Sequence, residues 1–267
     1  MKRRNGMNNS EEVSVPYAGP LIETHCHIDW ADGSFFADEV LALQKQEGLR
    51  YALLLGGCDQ NFRAVAEKLA PHQDRAGLML YIHPDQHTAE ELKPLLEDYP
   101  QLIRGFKLHP SGMDFRVGLE TLDWLFALAN QYDLRVLSHT DLSENAQAGL
   151  FRPLMERYPQ TQLILAHAFP FEQALDVASS FDRVYIDTSY TAWNADFQKQ
   201  ALRVLGKEKI LFGIDSPIGF KKDEGGKYLP HYREAAAEVA AFYDNDPDVV
   251  DFVLFKNAAR LLKLREK

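Results

Sequence analysis

Eight short apolar runs, each followed by an amphipathic stretch, recur along this chain at intervals of about 20 to 35 residues, the pattern of repeated βα units. The expected strands are Leu21 to Ile28, Arg50 to Gly56, Gly77 to His83, Ile103 to His109, Arg135 to His139, Gln162 to His167, Arg183 to Thr188 and Ile210 to Asp215. Their apolar runs read as strands buried on both faces. Eight parallel strands with short crossovers close more naturally into a barrel than into an open doubly wound sheet, and no G-x-G-x-x-G or Walker sequence is present to suggest the latter. The expected fold is α/β, a single (β/α)8 TIM barrel over residues 21–267 behind a flexible N-terminal tail, residues 1–20; 267 residues is an ordinary length for one such domain.

Helix punctuation fits this reading. Thr88 followed by Glu91 forms a capping box ahead of Leu92, Leu95 and Leu96. Ser216 to His231 is a long connection before a helix at Tyr232 to Tyr243, and is a candidate lid. A last helix, roughly Asp248 to Leu264, is expected to present Val249, Phe252, Val253 and Leu261 to the outside of the barrel.

The chemistry sits where the strands end. Thr24-His25-Cys26-His27, Lys107-Leu108-His109, Ser138-His139, Ala166-His167 and Ile214-Asp215 each close an expected strand with polar or ionisable groups. In a barrel those ends share one mouth, where catalysis resides. His25 and His27 are two apart, so strand periodicity points both inward. Two crowded imidazoles need separate hydrogen-bond partners, whereas one divalent cation satisfies both at about 2.0 to 2.1 Å. His139 and Asp215 can complete a site of three nitrogens and one oxygen with a position left for water; zinc is the first choice, with manganese or iron as alternatives.

Glu23-Thr24-His25-Cys26-His27, Gly105-Phe106-Lys107-Leu108-His109-Pro110, Leu165-Ala166-His167, Leu211-Phe212-Gly213-Ile214-Asp215-Ser216-Pro217 and Asn257-Ala258-Ala259-Arg260-Leu261, taken in this order, resemble the amidohydrolase superfamily. The resemblance is to its amidohydrolase-related branch of metal-dependent hydrolases and decarboxylases, and it spans nearly the whole barrel. It implies a metal on His25, His27, His139 and Asp215, with His167 as a catalytic or second-metal residue. It also gives Lys107 two readings. One is a carbamate bridging two ions; the other, favoured here with a single ion, is an ammonium that anchors a substrate carboxylate with help from His109.

The expected activity is hydrolysis of a small carboxylate-bearing ester, lactone or amide by metal-activated water. Asp215 takes the water proton and His167 stabilises the oxyanion. Decarboxylation of an aromatic or unsaturated acid is the nearest alternative, followed by a metal-free lactonase, a nuclease and a non-catalytic binding barrel. A formal charge of −10 disfavours nucleic acid as a partner. No run reaches the roughly 20 apolar residues of a membrane span, and Cys26 and Cys58 read as thiols, so a cytoplasmic protein is expected, with a homo-oligomer left open.

Smaller expectations attach to single residues. His83 and His109 are more simply pocket lining than direct participants, and His72, His87 and His231 are expected to be solvated. Asp187 divides evenly between catalysis and a turn or helix cap. Glu23 is either a pocket residue or a buried partner of Lys107. Trp30, Phe35, Phe36 and Trp193 form a candidate aromatic wall.

Overall fold

The computed structural model describes residues 17–30, 33–58, 61–189, 195–218 and 220–264. Most of the expected tail, residues 1–16, and Trp193 of the expected aromatic wall lie outside these. Eight parallel strands follow one another in chain order: β1 Ile22–His27, β2 Tyr51–Gly56, β3 Ala76–Tyr81, β4 Ile103–Leu108, β5 Arg135–His139, β6 Gln162–Ala166, β7 Val184–Asp187 and β8 Ile210–Leu211. The ring closes between first and last, where the Thr24 amide donates to Phe212 O (3.0 Å), the His27 amide to Ser216 O (2.6 Å) and the Ser216 amide to His25 O (3.0 Å). The fold is the expected (β/α)8 barrel.

β2 and β5 end where expected, and the other six strands stop short of their expected C-terminal ends. β6 stops before His167, and β8 holds its regular geometry for two residues only. His167, Ala168 and Asp215 take left-handed backbone angles, φ +67°, +55° and +58°. Such angles are costly for residues with a Cβ and turn the chain sharply out of the sheet. These turns aim the side chains of His167 and Asp215 across the mouth.

Helices α1 Ala37–Gln46, α2 Phe62–Leu69, α3 Ala89–Asp98, α4 Leu119–Tyr132, α5 Arg152–Arg157, α6 Phe171–Ser180, α7 Ala195–Leu205 and α8 Tyr232–Phe242 lie between or after the strands. The Thr88 hydroxyl accepts the Glu91 amide at the start of α3, as the capping signal requires. None of the described helices is long and apolar enough to cross a membrane.

The C-terminal segment departs from expectation. α9 Pro247–Asp251, a π-helical turn Phe252–Lys256 and α10 Asn257–Leu261 do not face outward. Ala258, Ala259, Leu261 and Leu262 pack with Ile22, Tyr51, Leu53, Met79, Leu137, Ile164 and Leu211, closing the barrel end opposite the strand C-termini. Val253 and Leu261 are buried, whereas Val249 and Phe252 are only half-buried. The Asn257 amide nitrogen donates to Ile210 O (2.8 Å), and Arg135 Nε to Leu261 O (3.0 Å). The sequence could not show this because helical spacing reveals an apolar face and not what the face meets. The plug makes one end structural and leaves the other for function.

Candidate metal centre

The seam between β1 and β8 builds the centre. His25 and His27 both face the axis, with ring centroids 5.6 Å apart. Gly213 brings β8 close beneath them: a Cβ there would lie 2.9 Å from Thr24 Oγ1 and 3.1 Å from the Cβ atoms of His25 and Asp187. Asp215 then emerges with Oδ1 3.0 Å from His25 Nε2 and 3.1 Å from His27 Nε2.

These three atoms fit a divalent cation. Ligands about 2.0 to 2.1 Å from a tetrahedral ion stand roughly 3.3 Å apart, close to the spacing here. Asp215 Oδ1 is buried and has no hydrogen-bond donor among the described residues. Asp187 Oδ2 lies 2.8 Å from His25 Nδ1, the carboxylate contact that fixes a ligating histidine with its Nε2 lone pair forward. His25, His27 and Asp215 form the one group of at least three suitable side chains that converges among the described residues.

Electrostatics point the same way. Burial favours a neutral Asp215, but the flanking His25 and His27 outweigh it and hold the carboxyl well below the usual range. Burial and Lys107 oppose protonation of His25, yet Asp215 and Asp187 raise its pKa, so the two carboxylates draw a proton or a cation to this point. His27 is pushed down to about 4, chiefly by burial.

His139 and Lys107 stand beside the converging group and line the same cleft. His139 is not in the converging group; its Nε2 lies 3.2 Å from Asp141 Oδ2, and its ring stacks on His109 at 4.0 Å and 10°. It still meets the His167 ring edge-on at 4.6 Å and lines the cleft. Lys107 is 1% exposed, with Nζ 3.0 Å from His25 Nε2, so it shares the lone pair a cation would use. Burial lowers its pKa to about 8. Glu23 is fully buried but does not partner Lys107: its Oε1 accepts the amides of His25 (2.9 Å) and Ile214 (3.1 Å) and ties the two strands together.

His167 is 6% exposed, with Nε2 4.0 Å from Asp215 Oδ2 and Nδ1 3.0 Å from the Ser189 hydroxyl. Burial lowers its pKa to about 3. Asp187 is fully buried; it holds His25 on one oxygen and accepts the His167 and Ser189 amides on the other, the Ser189 contact closing a side-chain turn of the kind its sequence context suggested.

A cleft of 590 Å³ opens above the centre. His27, Trp30, Tyr81, Lys107, His139, His167 and Asp215 line it, together with His83, His87 and Met113. Trp30 lies 4.8 Å from the His27 ring and 5.3 Å from Phe36, so part of the expected aromatic wall stands. His87 was expected in solvent but lines the cleft, its Nδ1 3.0 Å from His83 O. Sequence reasoning missed Asp29, whose Oδ2 accepts the amides of Gly57 (2.6 Å) and Cys58 (3.3 Å), although it continues the period of two from His25 and His27. It also missed Tyr81 and Ser189, whose types carry no metal signal. The loop expected as a lid is tied down at several points. Lys222 pairs with Tyr228, the Tyr228 amide reaches Glu39 (2.6 Å), and Ile218 lines the cleft.

Comparison with known proteins agrees with this architecture. The model of the family described as amidohydrolase matches residues 32–264, beginning after His25 and His27 and taking in the later strand ends. The fold is similar to a probable 2-pyrone-4,6-dicarboxylic acid hydrolase from Acinetobacter baumannii, solved with citric acid bound (15% identity, TM-score 0.69, covering 92% of this chain and 100% of that one). It is similar also to 5-carboxyvanillate decarboxylase from Sphingomonas paucimobilis (16%, 0.63, 92% and 99%) and to 2,6-dihydroxybenzoate decarboxylase from Rhizobium (14%, 0.62, 92% and 99%). A search of curated proteins returned no significant match.

Proposed function

This chain belongs to the amidohydrolase family, and we propose that it is a metal-dependent hydrolase of a small ester, lactone or amide that carries one carboxylate on an apolar or ring-shaped body. The observation that carries the reading is the convergence of His25 Nε2, His27 Nε2 and Asp215 Oδ1 beneath an open cleft, with His167 beside them. A divalent ion held there, zinc by the donor set, would supply Lewis acidity toward a substrate oxygen and toward water.

The protein's own groups do the rest. Among the described cleft residues Lys107 is the lone cation, with no arginine, against the carboxylates of Asp29 and Asp215. One substrate carboxylate can meet the Lys107 ammonium; a second would face uncompensated negative charge in a partly dry site. His109, stacked on His139, stands next to that position. Trp30, Tyr81, Met113 and Ile218 offer apolar surface to the remainder of the substrate. An oxygen lodged between Asp215 Oδ2 and His167 Nε2 would be within hydrogen-bond reach of both, so that pair can take a proton from water and return it to the leaving group. The same Lys107 and aromatic surface also suit decarboxylation of an aromatic acid, the second reading. A cytoplasmic setting is supported by the free thiols of Cys26 and Cys58.

The test is turnover by zinc- or manganese-loaded protein in 18O-water, with lactones, aryl esters and aromatic carboxylic acids. One 18O in a newly formed carboxylate is expected, lost on chelation and regained on adding metal. Release of CO2 without label would replace hydrolysis by decarboxylation. No bound metal on elemental analysis and no turnover would overturn the reading.

A further inference from the structure

A neutral imidazole can carry its proton on either ring nitrogen, and the choice decides whether His167 offers the cleft a donor or a lone pair. The Asp187 carboxylate accepts at Oδ1 from the His167 amide (3.0 Å), the Ser189 amide (3.1 Å) and the Ser189 hydroxyl (2.5 Å), and at Oδ2 it meets His25 Nδ1 (2.8 Å). With several donors converging on it, Asp187 acts as an acceptor. The hydroxyl hydrogen of Ser189 must therefore lie on the line to Asp187, because turning it away would set two lone pairs against each other at 2.5 Å. The same hydroxyl oxygen is 3.0 Å from His167 Nδ1. Its hydrogen being committed, it can only accept, so Nδ1 carries the ring proton and Nε2 does not. Ser189 and Asp187 are fully buried and His167 nearly so, which excludes easy exchange of these partners with water.

We propose that Ser189 is a positioning residue that relays Asp187 to His167 and holds it as the Nδ1–H tautomer, presenting an unprotonated Nε2 to the cleft. This rests on the hydrolase reading and refines it. His167 enters as a proton acceptor or a cation ligand, in place of the N–H donor to an oxyanion expected from sequence. One buried carboxylate thereby sets two imidazoles, His25 directly and His167 through a hydroxyl.

The test is long-range 1H–15N correlation on the full-length, zinc-loaded protein with 15N-histidine, the His167 signal assigned by its loss in His167→Gln. The expected result is a protonated Nδ1 and a pyridine-like Nε2 at His167, in at least roughly tenfold excess over the other form, the worth of one buried hydrogen bond. Ser189→Ala should collapse that excess to a mixture or invert it, and Ser189→Thr, which keeps the hydroxyl, should restore it. A protonated Nε2 in the unaltered protein overturns the proposal, as does an unchanged tautomer in a folded Ser189→Ala. Should Ser189→Ala fail to fold, the unaltered protein and Ser189→Thr still decide. The signal reads tautomer and not turnover, so an inactive protein with Nδ1–H at His167 would count against the hydrolase reading alone.

Discussion

Asp187→Asn probes the centre without removing any ligand. The native carboxylate uses Oδ1 for the His167 amide, the Ser189 amide and the Ser189 hydroxyl, and Oδ2 for His25 Nδ1 at 2.8 Å. An asparagine keeps its carbonyl oxygen toward those three donors, because turning it over would set an NH2 group against them. Its NH2 therefore replaces Oδ2 and donates to His25. To accept it, His25 must shift its proton from Nδ1 to Nε2, the nitrogen 3.0 Å from Asp215 Oδ1, and Nε2 then has no lone pair for a cation. The lost contact is a buried charge-assisted hydrogen bond, about 1.5 to 3 kcal/mol. That range agrees with the 10- to 100-fold loss of affinity usual for removing the carboxylate behind a metal-binding histidine, about 1.4 to 2.8 kcal/mol. Competition against a fluorescent zinc chelator would measure it, with thermal melts of the metal-free proteins as a control for folding. A zinc affinity within about twofold of the unaltered protein, against the 10- to 100-fold expected, would refute the assignment of His25 as a ligand oriented by Asp187.

Three further outcomes are expected. Asp215→Asn should fold, because the side chain is near-isosteric and partly exposed at the cleft, yet lose turnover at least 100-fold by steady-state assay, as loss of a charged reacting group does. Gly213→Ala should lower the midpoint of urea unfolding by an amount worth about 1 to 3 kcal/mol, since the new methyl meets Thr24, His25 and Asp187 at 2.9 to 3.1 Å, and should weaken zinc binding with it. Leu261→Ala, at the opposite end of the barrel, should cost about 2 to 5 kcal/mol in the same unfolding experiment and leave zinc affinity unchanged.

How much was legible in the chain differs by level. The eight strands were readable because a strand covered on both faces must be apolar along its length, and Ile22, Leu53, Leu78 and Leu137 obey that requirement wherever the barrel places them. His25 and His27 were readable as a pair because a period of two is local geometry. Asp215 was readable as their partner only through the expectation that all strand ends share one mouth.

What the chain by itself determined is the succession of elements and the residue types offered at one end of the barrel. Which of them meet was decided by the closing of the ring. The seam brings Asp215 onto His25 and His27, and the left-handed turns at His167 and Asp215 re-aim two side chains by a backbone choice that leaves no mark in hydrophobic periodicity. His139 sits on β5, across the ring from β1, against Asp141, Lys107 reaches inward to His25, and Asp187 and Ser189 lock the rings from behind. Periodicity specifies which face a residue occupies. The distance between residues 190 positions apart depends on tilt, stagger and closure, which belong to the assembled barrel alone.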